Sequence, residues 1–305
     1  MKDTMINKLV IIGVGLIGGS FALSLRKAGL VKRITGLGRS KENLQHALER
    51  GIIDEISDNY SQALNKADLV LLAVPVGQTA EILKKINPHL EPQTIISDVG
   101  STKQNVIAAA RSSIPEYFKN FVPAHPIAGA ELSGSSAANA ELFRDKNLIL
   151  TPSDETDIDS IESIQTLWKG CGAHTSLMTP YQHDEMLAMT SHLPHILAFT
   201  FMNHMLSNSS EKNEDTLLNF AGSGFRDFTR IAASDPTMWR DVFLSNRDAV
   251  LDTLGRFTED LTALQRAIRR GDGDLLHDRF SRTRAIRREV IDAKQAGTEP
   301  WRQRK

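Results

Sequence analysis

The chain contains one cysteine, Cys171, in 305 residues. An internal disulfide framework is therefore excluded and no oxidising compartment is called for, so the cytoplasm is the expected location. A dominant charge is lacking as well: 36 Lys and Arg face 37 Asp and Glu, for a formal net charge of −1. The last forty residues are locally basic, with twelve Lys and Arg against six acids from Arg266 onward. Such runs read as solvated helix faces, and no nucleic-acid partner is expected. No apolar run reaches the roughly 18 residues of a membrane span, so no membrane partner is expected either. Lys2 and Lys8 ahead of "LVIIGVGLIGG" imitate a signal peptide, but four glycines in that run spoil an apolar helix and suit a phosphate-binding turn. With 41% hydrophobic residues the chain has enough apolar material for one large or two moderate globular cores.

What is present is an alternation of strands and helices. "KLVII" (8–12) is β-branched and bounded by glycine, and "SFALSLRKAGL" then shows helical spacing that ends at Gly29. A strand at 34–37, a helix at about 40–50 and the apolar run "ADLVLLAVP" (67–75) follow, the last suiting a central parallel strand covered on both faces. "TIISDV", "FVPAH", "NLILT" and "GAHTSLM" supply further strands, predicting an α/β doubly wound, Rossmann-type sheet over residues 1–179. Beyond Pro180 the strand signals fade, so residues 180–305 are expected to form an all-helical domain. Within it Val250, Leu254, Phe257, Leu261, Leu264 and Ile268 make a heptad seam, read equally as a core helix or as a helix–helix dimer contact.

"GVGLIG" puts Gly13, Gly15 and Gly18 in G-x-G-x-x-G spacing between a strand and a helix, with Leu16 and Ile17 between them. The first glycine permits the tight turn, the second lets backbone approach a pyrophosphate, and the third allows close helix–strand packing. A dinucleotide site of this kind places Asp or Glu at the end of the second strand to hold the adenosine ribose. Here that place is Gly38, followed by Arg39 and Ser40. Without a carboxylate a 2′-phosphate is not repelled, and a guanidinium binds it with charge-assisted hydrogen bonds, so NADP is expected over NAD. The alternative is a surface arginine, or one stacked on adenine. Val74 and Pro75, at the end of the 67–75 strand, complete the expected cofactor-binding set together with Ser101.

Four further stretches carry chemistry: "SDVGSTKQ" (97–104), "PAHPIAG" (123–129), "SHLPH" (191–195) and "GFRDFTRIAASDPTMWRD" (224–241). Ser101 follows a parallel strand, at the edge where ligands gather, and could also cap the next helix. His125 ends a strand before Pro126; a lone histidine there is more often structural. His192 and His195 are three apart on a helix that Pro194 should kink, without the acidic partners of a metal site. Arg230 precedes Asp235-Pro236, a good helix start, and could simply pair with Asp235; Trp239 could be only a core anchor.

Together with "GLIGGS", and in this order along nearly the whole chain, these stretches resemble the prephenate/arogenate (cyclohexadienyl) dehydrogenase family of tyrosine biosynthesis. The resemblance implies a Rossmann-type domain followed by a 6-phosphogluconate-dehydrogenase-like helical dimerisation domain, hence a homodimer. It implies that Ser101 contacts the substrate hydroxyl and the nicotinamide end of the cofactor, and that His125 accepts the hydroxyl proton as catalytic base. Arg230 would bind the ring carboxylate, His195 and His192 would belong to or support the substrate pocket, and Trp239 would lie near the substrate side chain. Two rivals are another Rossmann-plus-helical enzyme of the β-hydroxyacid dehydrogenase type and a non-catalytic NADP-binding regulator. The first relies on a lysine that "YQHDEMLAMTSHLPH" lacks, and the joint presence of Ser101, His125 and Arg230 speaks against the second.

Overall fold

The computed structural model describes residues 5–129, 133–207 and 219–292. The glycine turn sits between β1 (Ile6–Ile12) and α1 (Leu16–Lys27). There follow β2 (Val31–Leu37), α2 (Lys41–Glu49), β3 (Glu55–Ile56), α3 (Tyr60–Leu64), β4 (Leu69–Leu72), α4 (Thr79–Ile86), β5 (Ile95–Asp98), α5 (Gln104–Ser113) and β6 (Phe121–Val122). The six strands are all parallel in the order β3-β2-β1-β4-β5-β6, so the order reverses direction at β1 and β4. Ligand crevices open outside the carboxyl ends of such strands at that switch point. Leu9–Ile12 of β1 and all of β4 are buried on both faces, as their uninterrupted apolar runs require. One core layer gathers Phe21, Leu25 and Trp168, the other Val10, Val70 and Phe121.

The expected single sheet is in fact two. "FVPAH" divides at Pro123, which lacks the N–H a continuing ladder needs: β6 pairs with β5, while β7 (Ala124–Pro126) runs antiparallel to β8 (Asn147–Leu150). β9 (His174–Leu177) lies parallel to β8, giving a separate three-stranded sheet with α6 (Ile158–Gly170) between β8 and β9 in sequence. His125 is thereby carried out of the main ladder, beyond its carboxyl edge.

Beyond Thr179 the regular structure of the described residues is helical. Thr179 forms a capping box with Gln182 at the start of α7 (Pro180–Leu187), and α8 (Leu193–Ser207), α9 (Ser223–Thr229) and α10 (Pro236–Ser245) follow. Trp239 and Val242 of α10 pack into the second core layer of the sheet. By the density of contacts the chain forms the compact units Met1–Val250 and Leu251–Lys305. α11 (Arg247–Arg270) realises the heptad seam and is followed by α12 (Gly273–Asp292). Along the seam Val250 is buried, Leu254, Phe257 and Leu264 are half-buried, and Leu261 and Ile268 are 50% and 61% exposed. Among the described residues, no helix is long and apolar enough to cross a membrane.

Candidate active site

At the adenosine end the glycine turn takes the roles its spacing gives it. Gly13 has φ +99°, and a Cβ there would lie 2.3 Å from the Ala73 carbonyl oxygen. A Cβ on Gly18 would meet the Gly13 oxygen at 2.5 Å, whereas one on Gly15 would meet nothing within 4 Å. Gly15 thus presents bare backbone, at the amino end of α1, to a cavity of about 650 Å³. Arg39, Ser40, Val74 and Pro75 line that cavity, as do Asn43 and Asp58. Ser40 caps α2 by accepting a hydrogen bond from the Asn43 N–H at 3.1 Å, and Asn43 reaches back to the Val14 carbonyl at 2.7 Å. Leu16 and Ile17 occupy the first turn of α1, with Ile17 packed on the core. The cradle therefore fits a dinucleotide, with Gly38 where a ribose-binding acid would stand and exposed Arg39 next to it.

At the other end the side chains converge on His125. It is 8% exposed, and its Nδ1 lies 2.8 Å from His183 Nε2; His183 Nδ1 in turn lies 2.8 Å from Asp184 Oδ1. Asp184 also receives the backbone N–H groups of Lys103 and Gln104, at 2.8 and 2.9 Å. It therefore caps α5 from a helix eighty residues away. The N-cap position itself is Lys103, so Ser101 does not cap this helix; it lies half-buried after β5. The Lys103 ammonium is fully buried against Asp98 at 2.5 Å and donates to the Ala124 carbonyl at 2.8 Å, directly before His125. Asp98 also accepts from the N–H groups of Gly100 and Ala124.

Burial is the main cause that holds the His125 pKa well below the ordinary value, helped by the nearby His183, Lys103 and His192. Its imidazole is neutral around pH 7, as an acceptor must be. Burial raises the Asp184 carboxyl, but the hydrogen bonds from His183, Gln104 and Lys103 outweigh it and leave a net downward shift.

His192 is fully buried in a π-helical turn, Ala188–His192, inserted between α7 and α8. Pro194, expected to kink a helix, falls instead in the first turn of α8, just after this π-helical turn. Asn246 bridges the Asp184 carbonyl and His192 Nδ1, and burial brings His192 down to a pKa of about 4. His195 is half-buried, bonded through Nδ1 to the Ser191 carbonyl and stacked on Trp239 with ring centroids 3.6 Å apart. Burial lowers its pKa, and the charge of Arg230 lowers it further. Arg230 is exposed at the end of α9, close enough to act on His195; Asp235 caps α10 through the Met238 N–H, followed by Pro236 at N1. Among the described residues Trp239 Nε1 is buried without a hydrogen-bond partner, whereas a hydrogen bond with the Ser101 backbone partly offsets the burial of His192.

Sequence reasoning missed His183, Asp184, Asn246, and the Lys103–Asp98 pair. A signal existed for the first two: His183 and Asp184 share the face of α7 that buries Leu187 and Ala188, a position at which polar side chains need partners.

A parallel sheet with a glycine cradle at its switch point and a neutral, buried histidine centre defines a dinucleotide-binding dehydrogenase. Family models match nearly the whole chain: the prephenate dehydrogenase nucleotide-binding domain over residues 21–177 and the prephenate dehydrogenase dimerization domain over 179–282. The chain is 37% identical to the prephenate dehydrogenase of Bacillus subtilis over 98% of its own length and 79% of that protein's. It is 36% identical to the cyclohexadienyl dehydrogenase of Zymomonas mobilis, covering 93% of this chain and 96% of that one. Among solved structures, prephenate dehydrogenase from A. aeolicus in complex with hydroxyphenyl propionate and NAD+ superposes with a TM-score of 0.87 at 34% identity, over 93% and 98% of the two chains. The chain belongs to the prephenate dehydrogenase family.

Proposed function

We propose that this enzyme oxidatively decarboxylates prephenate, arogenate or both, with NADP as the preferred hydride acceptor. The observation that carries the reading is His125, a neutral buried imidazole at the carboxyl edge of the sheet whose Nδ1 is tied to His183, leaving Nε2 as the ring's other functional atom. The substrates are cyclohexadienols with a ring carboxylate and a 4-hydroxyl. Bound nicotinamide supplies the hydride acceptor. His125 accepts the hydroxyl proton as the hydride leaves the same carbon, and the resulting dienone loses carbon dioxide to become aromatic. Ser101 orients the hydroxyl, while Arg230 holds the carboxylate without over-stabilising it, since its charge disperses as the bond breaks. His195 stacked on Trp239 forms a flat wall suited to the ring and side chain, supported by His192.

Support for NADP comes from Gly38 in the acidic position and from Arg39, exposed at the cavity wall with Lys41 close by. The A. aeolicus structure holds NAD+, so the choice belongs to each chain's own second-strand residues. Arogenate is favoured slightly over prephenate, because NADP use and arogenate tend to go together in the family that the motifs resemble. Exposed Leu261 and Ile268, beside a groove that also includes Thr258 and Gln265, support a homodimer through the helical domain, residues 180–305. Incubation with arogenate or prephenate and NADP should release carbon dioxide and NADPH in equal amounts, with tyrosine or 4-hydroxyphenylpyruvate identified by mass spectrometry. NADPH without carbon dioxide would point to a different alcohol oxidation.

A further inference from the structure

We propose that His183 and Asp184 are positioning residues that fix His125 in the Nδ1–H tautomer, so that its Nε2 is always the acceptor, and that His183 takes up the charge when His125 is protonated. This rests on His125 being the base of the proposed reaction.

The hydrogen-bond chain allows little choice. Asp184 receives three donors besides any from His183: the N–H groups of Lys103 and Gln104 and, at 3.2 Å, the Gln104 side-chain amide. A carboxylate so surrounded is ionised and accepts only. His183 Nδ1, 2.8 Å from Oδ1, must then carry a proton. Burial lowers the His183 pKa more than Asp184 raises it, so the ring is neutral and Nε2 is a lone pair. Across 2.8 Å the only donor for that lone pair is His125 Nδ1–H. The opposite arrangement would turn two lone pairs towards each other at Asp184 and make His125 Nε2 a donor, useless as a base.

The same chain disposes of the charge. When His125 Nε2 takes the hydroxyl proton, its Nδ1 proton can pass to His183 Nε2: one N–H bond forms and one breaks at His125, while His183 gains an N–H, keeps its Nδ1–H and becomes the cation. The cation then lies directly against the Asp184 carboxylate. Groups facing the two rings are Lys103 and Asp98 from the β5 edge, His192 from the π-helical turn, and Asp184 on α7 itself. The Lys103 charge is already neutralised by Asp98. No other carboxylate reaches His183 Nδ1 among the described contacts.

Nitrogen-15 imidazole shifts of the full-length protein test the tautomer directly, without substrate. His125 should be Nδ1–H in the parent and should lose that single-tautomer state in Asp184→Asn, whose one amide oxygen cannot serve the donors of His183, Lys103 and Gln104 together. Steady-state turnover tests the consequence: Asp184→Asn should lose ~10²- to 10⁴-fold in kcat, as carboxylate-to-amide changes do in catalytic triads, with KM little moved. His183→Gln, which still accepts from His125 and donates to Asp184, should rescue the tautomer and retain far more kcat than His183→Leu, though with a shifted acid limb because it cannot take the charge. The proposal is overturned by an unchanged His125 tautomer in Asp184→Asn, or by His183→Leu turning over no more than about threefold more slowly than the parent. If the parent turns over neither acid, the reaction assignment fails, and the tautomer measurement still decides the role of the pair.

Discussion

Arg39 and His125 bracket the chemistry at the scale of single residues. Arg39→Ala removes a guanidinium from the cavity wall, and charged hydrogen bonds are each worth ~1.5–3 kcal/mol. The KM for NADP should rise about 10- to 100-fold while that for NAD changes little; equal effects on both would place Arg39 on the adenine instead. His125→Asn should cut kcat by ~10²- to 10⁴-fold and leave cofactor affinity, read by fluorescence titration, unchanged. Both residues were legible because each follows a strand in a recognisable motif. His183 was not, because its partners lie 58 residues upstream and one residue downstream, and only folding shows that the former is in reach.

Local rules held for single elements, and departures came where the chain meets something distant. Asp235 and Pro236 start α10 as their types dictate, and Asp235→Ala should cost about 1 kcal/mol in denaturant unfolding. The start of α5 could not be read locally, because its cap is a carboxylate from α7. Pro123 was visible, but its breaking one apparent strand into two sheets depended on what lay beside each half. The Lys103–Asp98 pair ties the β5 edge to β7. Lys103→Met should destabilise the fold by ~3–5 kcal/mol by leaving Asp98 buried without its cation, and Lys103→Met with Asp98→Asn should recover part of that loss.

For the molecule as a whole, the buried histidines govern the acid limit of stability. His192 titrates near 4 when folded and 6.5 when unfolded, and burial pushes His125 and His183 down as well. Above pH 6.5 neither state binds these protons and they contribute nothing. As pH falls below it the unfolded chain gains protons that the folded one refuses, so stability drops by up to ~1.4 kcal/mol per pH unit for each histidine, until the folded groups titrate. Urea midpoints between pH 8 and 4.5 should be level and then fall, with a shallower fall in His192→Gln. The Rossmann architecture and the succeeding helices were legible from periodicity and glycine spacing. The docking of Asp184 and Trp239 onto the sheet half was not, since it follows from tertiary contacts.

Initial rates of nicotinamide reduction with arogenate or prephenate, each paired with NADP or NAD, test the assignment most directly. Turnover strongest with NADP, and with arogenate at least matching prephenate, is expected. Absence of turnover in all four pairings would contradict the assigned reaction, and equal rates with NAD and NADP would contradict the role given to Arg39.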